Sequence, residues 1–202
     1  MSGCGEDCNC KEGEIYSIHW DKWDKRPVWD EYFLFAAEVI SLRSSCLRRK
    51  FGAVITKQNN IVGTGYNGAA KGVDNCNEKG LCLKDLAGLL SGGYNNLADP
   101  SYGGGICTAV HAEKNAILHS SDKGDTLYIV GKLKDGKYSS SKPCFDCTNF
   151  LINAGIKRVV YKNEMGGIGE LKLEDLVETI NEKARAQRAA YDTKETNNTP
   201  SE

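Results

Sequence analysis

His111-Ala112-Glu113 and Pro143-Cys144-Phe145-Asp146-Cys147 are the residues of this chain whose types and spacing can do chemistry together. Two cysteines separated by two residues, on the first turn of a helix, aim both sulfurs at one point. There the helix dipole and the unpaired N–H groups stabilise thiolate charge. Pro143, just ahead of the pair, suits a helix start. A histidine from another segment adds a third ligand, which leaves the fourth position of a tetrahedral zinc ion to water, the open arrangement of a catalytic site. Glu113, two residues beyond His111, is then free to act on that water. Alone, a C-x-x-C pair equally suits a redox couple or half of a structural zinc site, and an isolated H-x-E carries little information. The two halves together, each opening a helix beside a strand, point to catalysis.

The cysteines extend the metal argument. The chain has 202 residues and nine Cys, an odd count. Its first residues, MSGCGEDCNCKEGE, lack the apolar run of a secretory leader, and no stretch approaches the ~18 apolar residues of a membrane span. A cytoplasmic protein is the expectation, and in a reducing compartment clustered Cys are more often ligands or reactive thiols than crosslinks. Setting aside Cys144, Cys147 and the N-terminal Cys4, Cys8 and Cys10 leaves Cys46, Cys76, Cys82 and Cys107. Four is the count of a closed structural zinc site. These four flank and punctuate a long Gly- and Asn-rich passage, residues 69–106, that ligation would pin. The alternative is ordinary buried thiols. Cys4, Cys8 and Cys10, with His19 nearby, sit in an extension without apolar anchors, where free thiols are expected over a third site.

With 26 Lys plus Arg against 27 Asp plus Glu the net charge is -1, which disfavours a polynucleotide partner. Arg43, Arg48, Arg49 and Lys50 form a local cluster suited to one small anion.

The elements that must position these residues follow from periodicity. Tyr32, Phe33, Ala36, Ala37, Ile40 and Ser41 recur at three and four, predicting a helix from Trp29 that ends in the Arg43 to Arg49 region. GAVITKQ (residues 52–58) and IVGTGYNG (61–68) read as strands joined by a tight turn at Asn59-Asn60. Helices are expected at residues 84–90, 110–119 and 145–153, with Gly155 stopping the last, and strands at 126–131 and 157–162. Leu171, Leu173, Leu176, Val177 and Ile180 suggest one more helix before a polar tail whose last ~15 residues should be mobile. Alternating strands and helices predict a three-layer α/β/α domain around a mixed central sheet, spanning residues 27–180, with an N-terminal extension (1–26) and a C-terminal tail (181–202).

WDEYF (29–33), RSSCLRRKFGAVI (43–55), GYNGAAKG (65–72), AVHAEKNAI (109–117), PCFDC (143–147) and NAGIKRVVY (153–161) together resemble the zinc-dependent cytidine and deoxycytidylate deaminases, most closely the deoxycytidylate branch. That resemblance covers roughly residues 28–161 and implies a cytidine-deaminase-like fold. It implies hydrolytic deamination of dCMP to dUMP on a catalytic zinc held by His111, Cys144 and Cys147. The zinc would lower the pKa of its water towards ~7 for attack on C4 of cytosine, with Glu113 shuttling protons. By the same resemblance the Ala112 N–H meets the base O2, the strand end at Ser141 meets the exocyclic amine, Asn67 contacts the sugar and Arg48 lies near the 5′-phosphate. Some members have a second zinc near the positions of Cys46, Cys76, Cys82 and Cys107. Met165 stands where many members carry a Tyr bordering the nucleotide, and Ala69-Ala70 replaces a usual Pro. Other cytosine nucleotides, dCTP among them, and a non-catalytic nucleotide-binding module are the alternatives, and the family suggests a homo-oligomer, often a hexamer.

Overall fold

The computed structural model describes residues 26–89 and 107–197. Expectations for Cys4, Cys8, Cys10, His19 and residues 90–106 lie outside the described residues.

Helix α1 (Trp29–Ser41) buries Phe33, Leu34, Ala37 and Ser41, and carries Asp30 and Glu31 in its first turn, where the helix dipole favours negative charge. It ends at Leu42, sooner than expected, and a non-helical segment leads into strand β1 (Arg49–Lys57). Strand β1 starts three residues before the predicted Gly52, because β5 (Thr126–Leu133) runs on far enough to pair Arg49 with Leu133. The turn into β2 (Asn60–Tyr66) puts Gln58 and Asn59 at φ 49° and 60°. Two successive positive φ values are what a two-residue hairpin turn of the right twist requires, so the turn sits one residue before the predicted pair.

The two-residue strand β3 (Gly68–Ala69) leaves the sheet and pairs instead with β4 (Ala109–Val110). This cuts the front off the expected 110–119 helix: α4 spans Ala112–Leu118, with His111 as its N-cap. Short helices α2 (Cys76–Lys79) and α3 (Leu83–Leu89) form part of the insertion. Beyond β5 come β6 (Tyr138–Ser139), α5 (Phe145–Asn153, the predicted span) and β7 (Arg158–Lys162). Gly155, at φ 83°, follows α5 as foreseen. Leu171 falls in an edge strand, β8 (Ile168–Lys172), and not in a helix. Helix α6 then runs from Leu173 to Asn197, well into the stretch expected to be a mobile tail.

The main sheet, ordered β2-β1-β5-β7-β8 with β6 beside β5, is mixed: β5 and β7 are parallel and the other pairs antiparallel. Side-chain alternation splits its two faces. Ala53, Ile55, Leu127, Ile129 and Val159 pack with Ala112, Ala116 and Leu151 of α4 and α5. Val54, Tyr128, Val130 and Val160 pack with Phe33, Leu34 and Ala37 of α1. This is the predicted three-layer α/β/α arrangement. Each fully buried Leu, Ile or Phe in these layers contributes roughly 1.5–3 kcal/mol. A side chain at Gly52 would meet the α1 backbone, 2.0 Å from the Ala37 carbonyl oxygen, so close helix–sheet approach on that face requires glycine.

Candidate active site

α4 and α5 lie on the same face of the sheet, and their first residues come together. His111, in extended backbone conformation at the start of α4, turns its Nδ1 to 3.6 Å from Cys144 Sγ and 3.3 Å from Cys147 Sγ. Zn–S bonds of about 2.3 Å and Zn–N bonds of about 2.1 Å in a tetrahedron put sulfur and nitrogen about 3.6 Å apart. The three side chains therefore fit one zinc ion. Among the described residues they are the one group of three or more His, Cys, Asp or Glu whose ligand atoms all lie within 4.8 Å of one another. Cys144 caps α5, its sulfur accepting from the Cys147 backbone N–H at 3.5 Å. Cys147 is fully buried, and burial first, then the nearby Glu113 carboxylate, pushes its thiol far up. A bound cation would relieve that cost.

Glu113 is 5% exposed, at the second position of α4. Burial pushes its carboxyl above the usual range; its own backbone amide, the His111 charge and a hydrogen bond with Cys147 pull the other way. Lys114, its neighbour, pairs with Asp146 at 2.5 Å and lies 4.4 Å from the centre of the Phe150 ring. That ion pair joins the two motif helices. Its members were legible only as the residues adjoining Glu113 and lying between the two cysteines.

A cavity of about 460 Å³ opens over this group. It is lined by His111, Ala112, Glu113, Ser141 and Cys144, by Arg48 and Asn67, and by Cys46, Cys76, Cys82 and Cys107. The predicted substrate-contacting residues thus all reach one space. Asn67 is largely engaged internally: Oδ1 accepts from Ser44 Oγ (2.6 Å) and the Phe51 N–H (2.7 Å), and Nδ2 donates to the Arg49 carbonyl (3.0 Å). One Nδ2 hydrogen is left for a ligand. Ser141 Oγ accepts from the Gly131 N–H and donates to the Ser139 carbonyl, so this hydroxyl fastens β6 to β5. Arg48 pairs with Asp85 of α3 at 3.4 Å, both about half exposed. Met165 is 96% exposed in the β7–β8 turn and is not part of the lining.

The cysteine quartet is brought together less tightly than the first triad. No three of the four have sulfurs within 4.8 Å of one another. They are still close enough that burial, then repulsion from Cys46, Cys82 and Cys107, raises the Cys76 thiol. The insertion is tied beneath them by the Asn77 N–H donating to the Ser45 carbonyl and by the Ala70 N–H donating to Thr108.

Residues 27–163 match the family described as the cytidine and deoxycytidylate deaminase zinc-binding region. The chain is 41% identical over 142 residues to the deoxycytidylate deaminase of Mycobacterium phage D29, covering 69% of this chain and 98% of that protein. It is 32% identical over 138 residues to the deoxycytidylate deaminase of Schizosaccharomyces pombe, covering 67% of this chain but 37% of that longer protein. Among solved structures, dCMP deaminase from the cyanophage S-TIM5 in complex with dCMP and dUMP is 28% identical, covering 69% of this chain and 84% of that one at a TM-score of 0.47.

Proposed function

The chain belongs to the cytidine and deoxycytidylate deaminase family, and from that premise we propose that it hydrolyses dCMP to dUMP and ammonia. The observation that carries this reading is Glu113, a buried carboxyl lining the same cavity as His111 and Cys144, two of the three zinc-compatible ligands, with Cys147 buried behind them. His111, Cys144 and Cys147 would hold the zinc, which when bound supplies an acidified water at neutral pH. Glu113 would take one proton from the attacking water and deliver it to N3 of cytosine as the water oxygen bonds to C4. It would then take the second proton from that same oxygen and pass it to the amino group, so that the C4–N4 bond breaks, ammonia leaves and C4 keeps the oxygen as a carbonyl. The Ala112 backbone N–H is the donor for the base O2. The Ser141 hydroxyl is spent internally, so its carbonyl is the acceptor offered to the exocyclic amine. Asn67 offers its remaining N–H to the sugar.

The unit that does this comprises residues 27–180, working in the cytoplasm as a homo-oligomer. Cys46, Cys76, Cys82 and Cys107 would hold a second, structural zinc, a reading supported by their shared cavity wall; ligation would draw the sulfurs closer than they now stand. Metal analysis of tag-free protein should give two zinc per chain. One zinc, together with a Cys82→Ser variant that melts like the wild type, would rule the second site out.

Ammonia release and uracil formation from dCMP, CMP, dCTP, deoxycytidine and a short cytosine-containing oligonucleotide test the activity, with dCMP expected to be preferred. No turnover of any mononucleotide, with Glu113→Ala binding them as the wild type does, would leave only a zinc-containing binding module. Light scattering reads the oligomeric state.

A further inference from the structure

The charged residues around the cavity are unevenly distributed. Among the described residues, Arg48 and Arg49 at the entry to β1, Lys84 on α3 and Lys142 just before α5 all line it, against a single carboxylate, Glu113. Three separate stretches of chain thus bring cations to one space, although the molecule as a whole is almost neutral. Next to Lys84, outside the lining, stands Asp85, whose carboxylate is 3.4 Å from Arg48 Nε. Both partners are about half exposed, so the pair is weak and can be opened by a competing anion. Asp85 lies in the first turn of α3, whose opening hydrogen bonds run from the Asp85 and Leu86 N–H groups to the Cys82 carbonyl.

We propose that Lys84 and Lys142 complete, with Arg48, the subsite for the nucleotide's 5′-phosphate, and that Asp85 is the counter-charge this phosphate displaces from Arg48. This rests on the nucleotide reading of the cavity, and it makes the insertion helix α3 a determinant of specificity. A nucleoside, lacking the dianion, leaves the Arg48–Asp85 pair closed and gains nothing from the two lysines. A nucleotide must overcome Asp85, so the carboxylate lowers affinity for phosphorylated ligands selectively.

A unit charge about 6 Å from another in water changes affinity roughly threefold, and a dianion roughly tenfold, with salt reducing the effect. The test is calorimetric binding of dUMP and of deoxyuridine to the zinc-loaded protein, which requires no turnover. Asp85→Asn should tighten dUMP about 3- to 10-fold, Asp85→Glu should restore the wild-type value, and Lys84→Gln and Lys142→Gln should each weaken dUMP about 3- to 10-fold. None should move deoxyuridine by more than about twofold. Equal shifts for the two ligands, unchanged dUMP affinity in Asp85→Asn, or no dUMP binding by the wild type would overturn the proposal. Ammonia release from dCMP on the same samples reports on the reaction separately, so a failure of the activity and a failure of the subsite are told apart.

Discussion

Replacing Gly65 with alanine should disable the site without altering any residue that lines it. Gly65 lies on β2 beneath α4, and a β-carbon there would stand 2.2 Å from the Ala116 nitrogen, 2.4 Å from the Ala112 carbonyl oxygen and 2.8 Å from the Asn115 carbonyl carbon. All three obstructing atoms are backbone, so no rotamer change relieves the clash, and ordinary contact requires α4 to retreat by about 1 Å. His111 opens α4 and Glu113 lies in its first turn, whereas Cys144 and Cys147 stand on α5. The retreat therefore pulls histidine and glutamate away from the sulfurs. Overpacking of this kind costs about 1–3 kcal/mol, or a Tm loss of about 4–8 °C in the middle of that range for a domain of this size. A displacement of about 1 Å at a reacting centre costs on the order of 100-fold in rate. Thermal melts, zinc content per chain and ammonia release from dCMP measure the three consequences. Gly136→Ala is the control: its φ of 79° brings backbone strain, but nothing lies within 4 Å of the new carbon, and the site should stay intact. Full turnover by folded, zinc-loaded Gly65→Ala protein would refute the idea that β2 sets the position of the catalytic helix.

Glu113→Gln should keep its zinc and its melting temperature while losing about 10²- to 10⁴-fold in kcat, since it removes only proton transfer; activity above a tenth of wild type would exclude Glu113 from that role. Asn67→Ala should lower stability by about 2–4 kcal/mol in denaturant melts, because the Phe51 N–H, the Arg49 carbonyl and Ser44 lose their partner; an unchanged midpoint would show that this carboxamide serves only the ligand. Arg158 grips Asp30 with two hydrogen bonds, at 2.8 and 2.7 Å, and holds its carboxyl below the usual range, so this contribution is present above an unfolded pKa of ~3.9 and fades as pH falls through the lower folded value. Asp30→Asn should therefore cost about 1–2 kcal/mol at pH 7, allowing for partial exposure, and the gap to wild type should narrow in acid melts below about pH 4.

What could be read in the sequence, and what could not, divides along the range of the interactions involved. Helix α5 follows its predicted span because Pro143, the capping cysteine and Gly155 are local signals. The convergence of His111 on the two sulfurs was legible because each motif opens a helix, and helix starts on one face of a sheet meet readily. Strands β3 and β4 were not legible. Two residues of ladder carry no periodicity, and the departure of Gly68 from β2 accompanies the Asn67 side chain's hydrogen bonds to Phe51 and Arg49. The edge strand β8 was hidden for a different reason. GELKLEDL places its leucines at spacings a helix also uses, and what fixes the strand is the preceding turn, where the Asn163 side chain accepts from the Met165 and Gly167 N–H groups. The Arg158–Asp30–Tyr128 group joins α1, β5 and β7 across more than a hundred residues of chain, beyond the reach of any local pattern.

The same division runs through the cavity itself. Its catalytic end is built from residues at the starts of α4 and α5, whose inner faces belong to the layer of Ala53, Ile55, Leu127 and Leu151. Displacing Glu113 or the sulfurs therefore means disturbing close-packed side chains. Another part of its lining comes from the insertion and the segment before β1, where Arg48, and Asp85 paired with it, are half exposed. Charge changes are tolerated there at little structural cost. On the reading proposed above, Glu113 and the metal ligands stand on the core side and the anion contacts on the insertion side, so residues such as Lys84 and Asp85 can be exchanged without reopening the packing beneath α4 and α5.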